Sequence, residues 1–240
     1  GLMAAFGSSS CSRAQGATLR AVSDAALPTA AVVPPGARPW RWIPTLYFMQ
    51  ALPNAAVSTL SVVMYKNFGL SNTEIALYTS WLYLPWVIKP LWSPLVDLLG
   101  SKRGWTVALQ FVVGAAFALV ALTLPMPNFV QLTLAMFWLL AFASATHDIA
   151  ADGFYMLALA EKQQAAFVGV RSTFFRLAML AGQGALVVLA GRLFERNGNV
   201  VVAWQTVFAL LAGMFIAAGI WHAVVLPRPA NDHAAQRGRG

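Results

Sequence analysis

Cysteine is almost missing: Cys11 is the only one in 240 residues. A lone thiol excludes a disulfide or a multi-thiolate metal site within one chain. Charge is scarce as well. Charged residues make up 10% of the chain against 59% hydrophobic ones, whereas soluble domains carry about 25% charged residues. That leaves a membrane protein with little room for a soluble domain. Acids are the rarer sign, 8 against 16 Lys and Arg, for a formal net charge of +8. A basic balance can serve nucleic acid, but these cations sit in short loops and tails, the pattern that sets membrane topology. The partner expected is the lipid bilayer, not nucleic acid.

Residues 1–40 contain no apolar run long enough for a secretory h-region. They are rich in Ala, Ser, Pro and Gly, with Asp24 as the one acid beside Arg13, Arg20 and Arg38. This is the composition of a disordered cytoplasmic tail. It also has the acid-poor, Arg- and Ser-bearing character of an organelle transit peptide. The first residue is Gly1 rather than Met, so a fragment or a processed product is expected.

From residue 41 to 227 the chain reads as an all-α membrane domain, a six-transmembrane-helix bundle. Its apolar runs, at 42–65, 74–98, 105–124, 129–158, 167–191 and 200–226, each approach the ~20 residues a spanning helix needs. Ser71-Asn-Thr-Glu74 has the form of a capping box opening the second run. Pro125-Met-Pro-Asn128 is a tight turn between the third and fourth. Connections this short force an up-down antiparallel order. Arg13, Arg20, Arg38, Arg41, Lys102, Arg103, Lys162, Arg228, Arg237 and Arg239 then share one side, and only Lys66, Arg192 and Arg196 the other. The asymmetry puts both termini in the cytoplasm. Pro53 interrupts the first run, and Pro85, Pro90 and Pro94 crowd the second, so kinks are expected there. Ala178/Gly182 and Ala181/Ala185 have the small-xxx-small spacing that lets helices approach closely.

Against this background, Ser144-Ala-Thr-His-Asp-Ile-Ala-Ala-Asp-Gly-Phe-Tyr155 stands out. Asp148 and Asp152 are four apart and share a helix face, at an insertion cost of ~2.5–3.5 kcal/mol each. A face that looks into a polar cavity accounts for such a cost. Rise per residue places Lys89 on the second run, and Arg171 and Arg176 on the fifth, at comparable depth. We therefore expect a buried polar layer of Lys89, Asp148, Asp152, Arg171 and Arg176, with His147 beside it. Simpler readings stand next to this one. Asp152 could touch headgroup water, Arg171 and Lys89 could snorkel to the surface, and His147 could be a hydrogen-bonded core residue instead of a proton carrier. Metal is not expected, because His147 and Asp148 point ~100° apart on a helix of 3.6 residues per turn and no further ligands complete a shell. No cofactor is expected either. Two acids flanked by arginines titrate as a coupled set, which is the requirement for a proton relay.

Ser93-Pro-Leu-Val-Asp97-Leu-Leu-Gly100-Ser-Lys102-Arg103 resembles the loop signature between helices two and three of major facilitator transporters, with Ser93, Leu98 and Ser101 departing from it. Together with Leu91-Trp-Ser-Pro-Leu-Val-Asp97, Lys102-Arg-Gly-Trp105 and Ser144–Asp152, it is similar to the AmpG-type muropeptide permease branch, over residues 41–227. That branch usually has glutamine or a similar residue where His147 stands. The resemblance implies one half of a major facilitator fold, with Asp97, Gly100, Lys102 and Arg103 in a cytoplasmic latch and the fourth helix lining the central path. Residues 228–240 would begin the central cytoplasmic loop of a truncated chain. The other six-helix half, or a second copy, would then be a partner, along with protons and a small solute.

The function implied is proton-coupled transport, by alternating access across a bacterial inner membrane, of a muropeptide or an amino-sugar or peptide conjugate. A siderophore or acyl-nucleotide carrier of the same superfamily is the alternative. Readings from other classes are an intramembrane enzyme using His147, Asp148 and Asp152, and a non-transporting scaffold. No nucleophile converges on those three residues, so the chain is not expected to be an enzyme.

Overall fold

A computed structural model describes residues 38–229 and 231–232. Most of the tail expected over 1–40 and most of 228–240 lie outside the described residues. The described residues form helices and no strands. Five helices are long and apolar enough to cross a membrane. We number them by position in the bundle: α1 (Pro39–Asn67), α3 (Lys102–Thr123), α4 (Phe129–Ala158), α5 (Glu161–Asn197) and α6 (Val200–Val225). Between α1 and α3 runs α2 (72–98), which is a chain of short pieces.

The kinks expected from the prolines over 74–98 are here full breaks between short helical pieces. The pieces are Asn72–Thr79, Leu84–Ile88 and Ser93–Leu98, joined by 3-10 turns at Ser80–Tyr83 and Lys89–Leu91. Pro85, Pro90 and Pro94 each sit at the first or second position of a new piece. There the missing N–H costs nothing and the fixed φ suits a helix start, so every proline restarts the helix. The first piece opens on the capping box: Glu74 N donates to Ser71 Oγ at 3.3 Å and Ser71 N to Glu74 Oε2 at 2.9 Å. The turn at Pro125–Asn128 is closed by Met126 N to Thr123 O, 3.1 Å, and Phe129 N to Met126 O, 3.1 Å.

α3 packs between α4 and α6, while α1 packs against α5 and α4. An aromatic stack fills the α3–α4–α6 core. Phe117 lies 6.2 Å from Phe208 and 5.5 Å from Phe215, and Phe137 lies 5.8 Å from Phe208, centroid to centroid. α1 and α5 meet where each carries a π turn, at Ala56–Leu60 and Ala181–Ala185. Gly182 of the small-residue motif lies at this crossing, and a Cβ there would come within 2.5 Å of Ala55 Cβ.

The signature loop is anchored from several directions. Gly100 has φ +119°, a conformation open to glycine and strained for other residues. Ser101 Oγ caps α3 by accepting from Gly104 N at 3.0 Å. Asp232, beyond α6, accepts from the next free donors, Lys102 N at 2.6 Å and Arg103 N at 3.0 Å. This places a carboxylate at the positive end of the helix dipole. In return Arg103 donates to Leu226 O at 3.2 Å and to Ala223 O, capping the last turn of α6. The two helices thus hold each other by their ends. Lys102 also pairs with Asp97.

Candidate functional site

α4 has 30 residues, which at ~1.5 Å per residue makes it about 45 Å long, more than the ~30 Å hydrocarbon core. Its ends therefore project. Asp152 lies roughly 9 Å and Asp148 roughly 15 Å from the Ala158 end by the same rise. Both point the same way, into a cavity of about 350 Å³. α1 supplies Tyr47 and Gln50 to its wall, three apart on one face. α2 supplies Lys89, and α5 supplies Arg171, Ser172 and Arg176. All five members of the expected layer line this one cavity, but as a buried layer the expectation is too strong: only Asp148 is buried, Lys89, Asp152 and Arg171 are half-buried, and Arg176 is exposed.

The charges pair in order of depth. Arg171 Nη2 donates to Asp152 Oδ1 at 3.0 Å, and Tyr47 OH donates to the same oxygen at 3.1 Å. The Arg171 guanidinium also lies over two rings, 4.5 Å from the Tyr47 centroid and 5.1 Å from that of Tyr155. Asp148 is held more loosely. Its Oδ2 accepts from Trp86 Nε1 at 3.1 Å and lies 4.0 Å from Lys89 Nζ. Its Oδ1 is buried with no hydrogen-bond partner among the described residues. Arg176 forms no ion pair among the described residues. The deeper part of the site therefore holds one buried, unpaired carboxylate oxygen behind the cavity wall and one unpaired guanidinium facing the cavity.

His147 does not line this cavity. One step round the helix from Asp148, it faces α3 and α6, where Gln110 Nε2 lies 3.3 Å from its Nε2. Gln110 Oε1 is 2.9 Å from His222 Nδ1, and His222 Nε2 is 2.9 Å from Thr45 Oγ1. All of this sits behind the cavity wall, joining α1, α3, α4 and α6. His147, Asp148 and Asp152 thus fall on two sides of α4 and do not converge as an acid–base set.

Tyr47, Gln50, Trp86, Tyr155 and Ser172 were not singled out from sequence. Gln50 gave the only usable signal, an amide inside the apolar run 42–65; the aromatic residues are indistinguishable there from core. At the near end of α4, Gly153 lies under the Lys102 side chain. A Cβ there would meet Lys102 Cε at 2.9 Å, so the residue after Asp152 is also the floor of the Lys102–Asp97 pair.

A helical bundle of this length and apolarity, with a charged cavity among its helices, defines a multi-pass membrane protein. The family model of the Major Facilitator Superfamily matches residues 45–240, and the chain belongs to that superfamily. Among curated relatives, the Anhydromuropeptide permease of Escherichia coli (strain K12) is 28% identical over 151 residues, 61% of this chain and 29% of that protein. "Putative transporter AmpG 3" of Rickettsia prowazekii (strain Madrid E) is 27% identical over 147 residues, 57% of this chain and 32% of that one. An uncharacterized protein of Haemophilus influenzae is 27% identical over 180 residues, 70% and 40% of the two chains. The match thus spans between 29% and 40% of these relatives' lengths.

Proposed function

We propose that this chain is the amino-terminal half of a proton-driven secondary transporter. It moves a small polar solute with an anionic group, of the muropeptide or amino-sugar–peptide kind, across a bacterial inner membrane. The observation that carries this reading is the convergence of Lys89, Asp148, Asp152, Arg171 and Arg176 on one cavity inside an apolar bundle. Isolated charges at that depth are costly; five gathered around one space form a site. Asp148 takes the proton at its unpaired oxygen and Arg176 takes the anion. Movement of Lys89 toward or away from Asp148 links the two events, since a cation nearby favours the ionised carboxylate. The opposite wall comes from a second six-helix bundle, against which this one rocks in alternating access. The chemistry of the solute is suggested by the permease among the relatives. Siderophores and acyl-nucleotides carry the same anionic handle.

The test is uptake into vesicles bearing the protein as its gene encodes it, with labelled anhydromuropeptide, ferric siderophore and acetyl-CoA offered separately. Accumulation of one of these that rises with an inward proton gradient and collapses with a protonophore is the expected result. Uptake of every solute that ignores the gradient would overturn proton coupling.

The latch at Asp97 and Lys102 gives a second expectation. In Gly153→Ala the new methyl meets only the flexible end of Lys102, which swings aside, so the fold keeps its stability. The displaced ammonium leaves Asp97, an exposed pair worth up to ~1 kcal/mol, and the initial uptake rate falls up to about fivefold. Lys102→Ala should lower the rate by a similar factor, and the double variant should fall no further, as residues sharing one interaction behave in a double-mutant cycle. Additive losses would separate Gly153 from the latch.

A further inference from the structure

Two cavities share the same two side chains. Asp152 and Arg171 line the inner cavity, and they also line a second one of about 490 Å³ nearer the basic end, which includes Tyr155, Glu161 and Gln164. Each of the two side chains is about a third exposed, 37% for Asp152 and 31% for Arg171, so each is reachable from either space. Around them the backing is tight. Tyr47 and Tyr155 are buried, and their rings meet edge to face at 5.9 Å. Tyr155 OH donates to Gln164 O at 2.5 Å and so is tied to the first turn of α5. Tyr47 is tied to Asp152. The guanidinium of Arg171 rests against both rings while paired with the carboxylate.

We propose that Tyr47, Tyr155, Asp152 and Arg171 form a gate between the inner cavity and the basic end of the bundle, with the two tyrosines as its positioning residues. The assignment rests on the transport reading above. The geometry gives the gate three independent holds on one guanidinium: an ion pair to α4, a ring from α1 and a second ring from α4. Arg171 swings out only by losing all three, so opening the gate breaks the ion pair and both ring contacts together. Tyr47 sets the carboxylate as well as the cation, because its hydroxyl and Arg171 share one oxygen of Asp152. Arg176, one turn deeper on α5, stays available for the solute while the gate is closed.

Cysteine accessibility tests this directly, since Cys11 is the only thiol in these 240 residues and any further cysteine of the full-length protein is replaced by serine alongside it. In that cysteine-free background, Ser172→Cys places a thiol in the inner cavity, at a residue absent from the lining of the outer one. A membrane-impermeant maleimide is applied to the basic end in inside-out vesicles. Labelling should quicken by roughly tenfold in Tyr47→Ala and in Arg171→Lys, the change expected from losing a cation–π contact and a hydrogen bond to a charged group. Tyr47→Phe, which keeps the ring, should fall between these and the parent. Equal rates in the parent and all variants overturn the gate. A rise in Tyr47→Ala alone, with Arg171→Lys at the parent rate, overturns it too, because a lost ring by itself only opens a packing defect. The labelling needs neither solute nor proton gradient, so its outcome is separate from that of the uptake test.

Discussion

Asp148→Asn stops solute from accumulating above equilibrium in vesicles with an imposed pH gradient, while solute-for-solute exchange continues. The substitution keeps the shape of the side chain and an oxygen for the Trp86 indole N–H, but it can neither ionise nor take up a proton. One proton moving down a gradient of one pH unit supplies about 1.4 kcal/mol, enough for a roughly tenfold concentration ratio. The unaltered protein should approach that ratio at one proton per solute, and the variant should stay at one. Exchange is retained because Arg176 and the gate are untouched. The result is read by following labelled solute inside and outside the vesicles to steady state. Accumulation in Asp148→Asn equal to that of the parent would remove this carboxylate from the coupling.

The largest effect on stability is expected at Gly182. Its added Cβ would lie 2.5 Å from Ala55 Cβ, and a Cβ cannot move without its helix. Overpacking of this kind costs ~1–3 kcal/mol, partly offset by up to ~1 kcal/mol from the better helix propensity of alanine. A net loss of about 1–2 kcal/mol lowers the thermal midpoint by roughly 2–4 °C per kcal/mol for a domain of this size. Gly182→Leu should leave little folded protein. Gly184→Ala supplies the comparison. That glycine lies in the same π turn, with nothing within 4 Å of its added Cβ, and the change should be neutral or stabilising. Midpoints followed in detergent by tryptophan fluorescence distinguish the two. Equal midpoints would mean that α1 and α5 do not cross at the small residues.

The two predictions draw on different parts of what the sequence made legible. A helix that must cross a bilayer leaves its charged side chains few places to go, so Lys89, Asp148, Asp152, Arg171 and Arg176 could be assigned to one layer from rise per residue alone. The same bookkeeping could not reach Tyr47 or Tyr155. An aromatic ring in an apolar run has the same pattern whether it packs in the core or holds a guanidinium, and only the tertiary fold brings α1 against α5. Nor could it place His147, whose partner Gln110, with His222 beyond it, lies on another helix. The broken second helix was legible only in part. Pro85, Pro90 and Pro94 announced kinks, but whether each bends a helix or restarts one depends on where the following N–H groups find acceptors. Asp232 was invisible for another reason. Its role depends on a chain reversal after α6 that brings it to an N-terminus 130 residues earlier.

The central claim is that protons and solute use the same cavity, and proton uptake on addition of solute tests it most directly. A pulse of the transported solute is given to unenergised vesicles in lightly buffered medium, with a pH electrode outside. The medium should turn alkaline as solute enters carrying protons with it, and Asp148→Asn should abolish the signal while labelled solute still exchanges. Solute entry with no alkalinisation, or an undiminished signal in Asp148→Asn, would contradict the account.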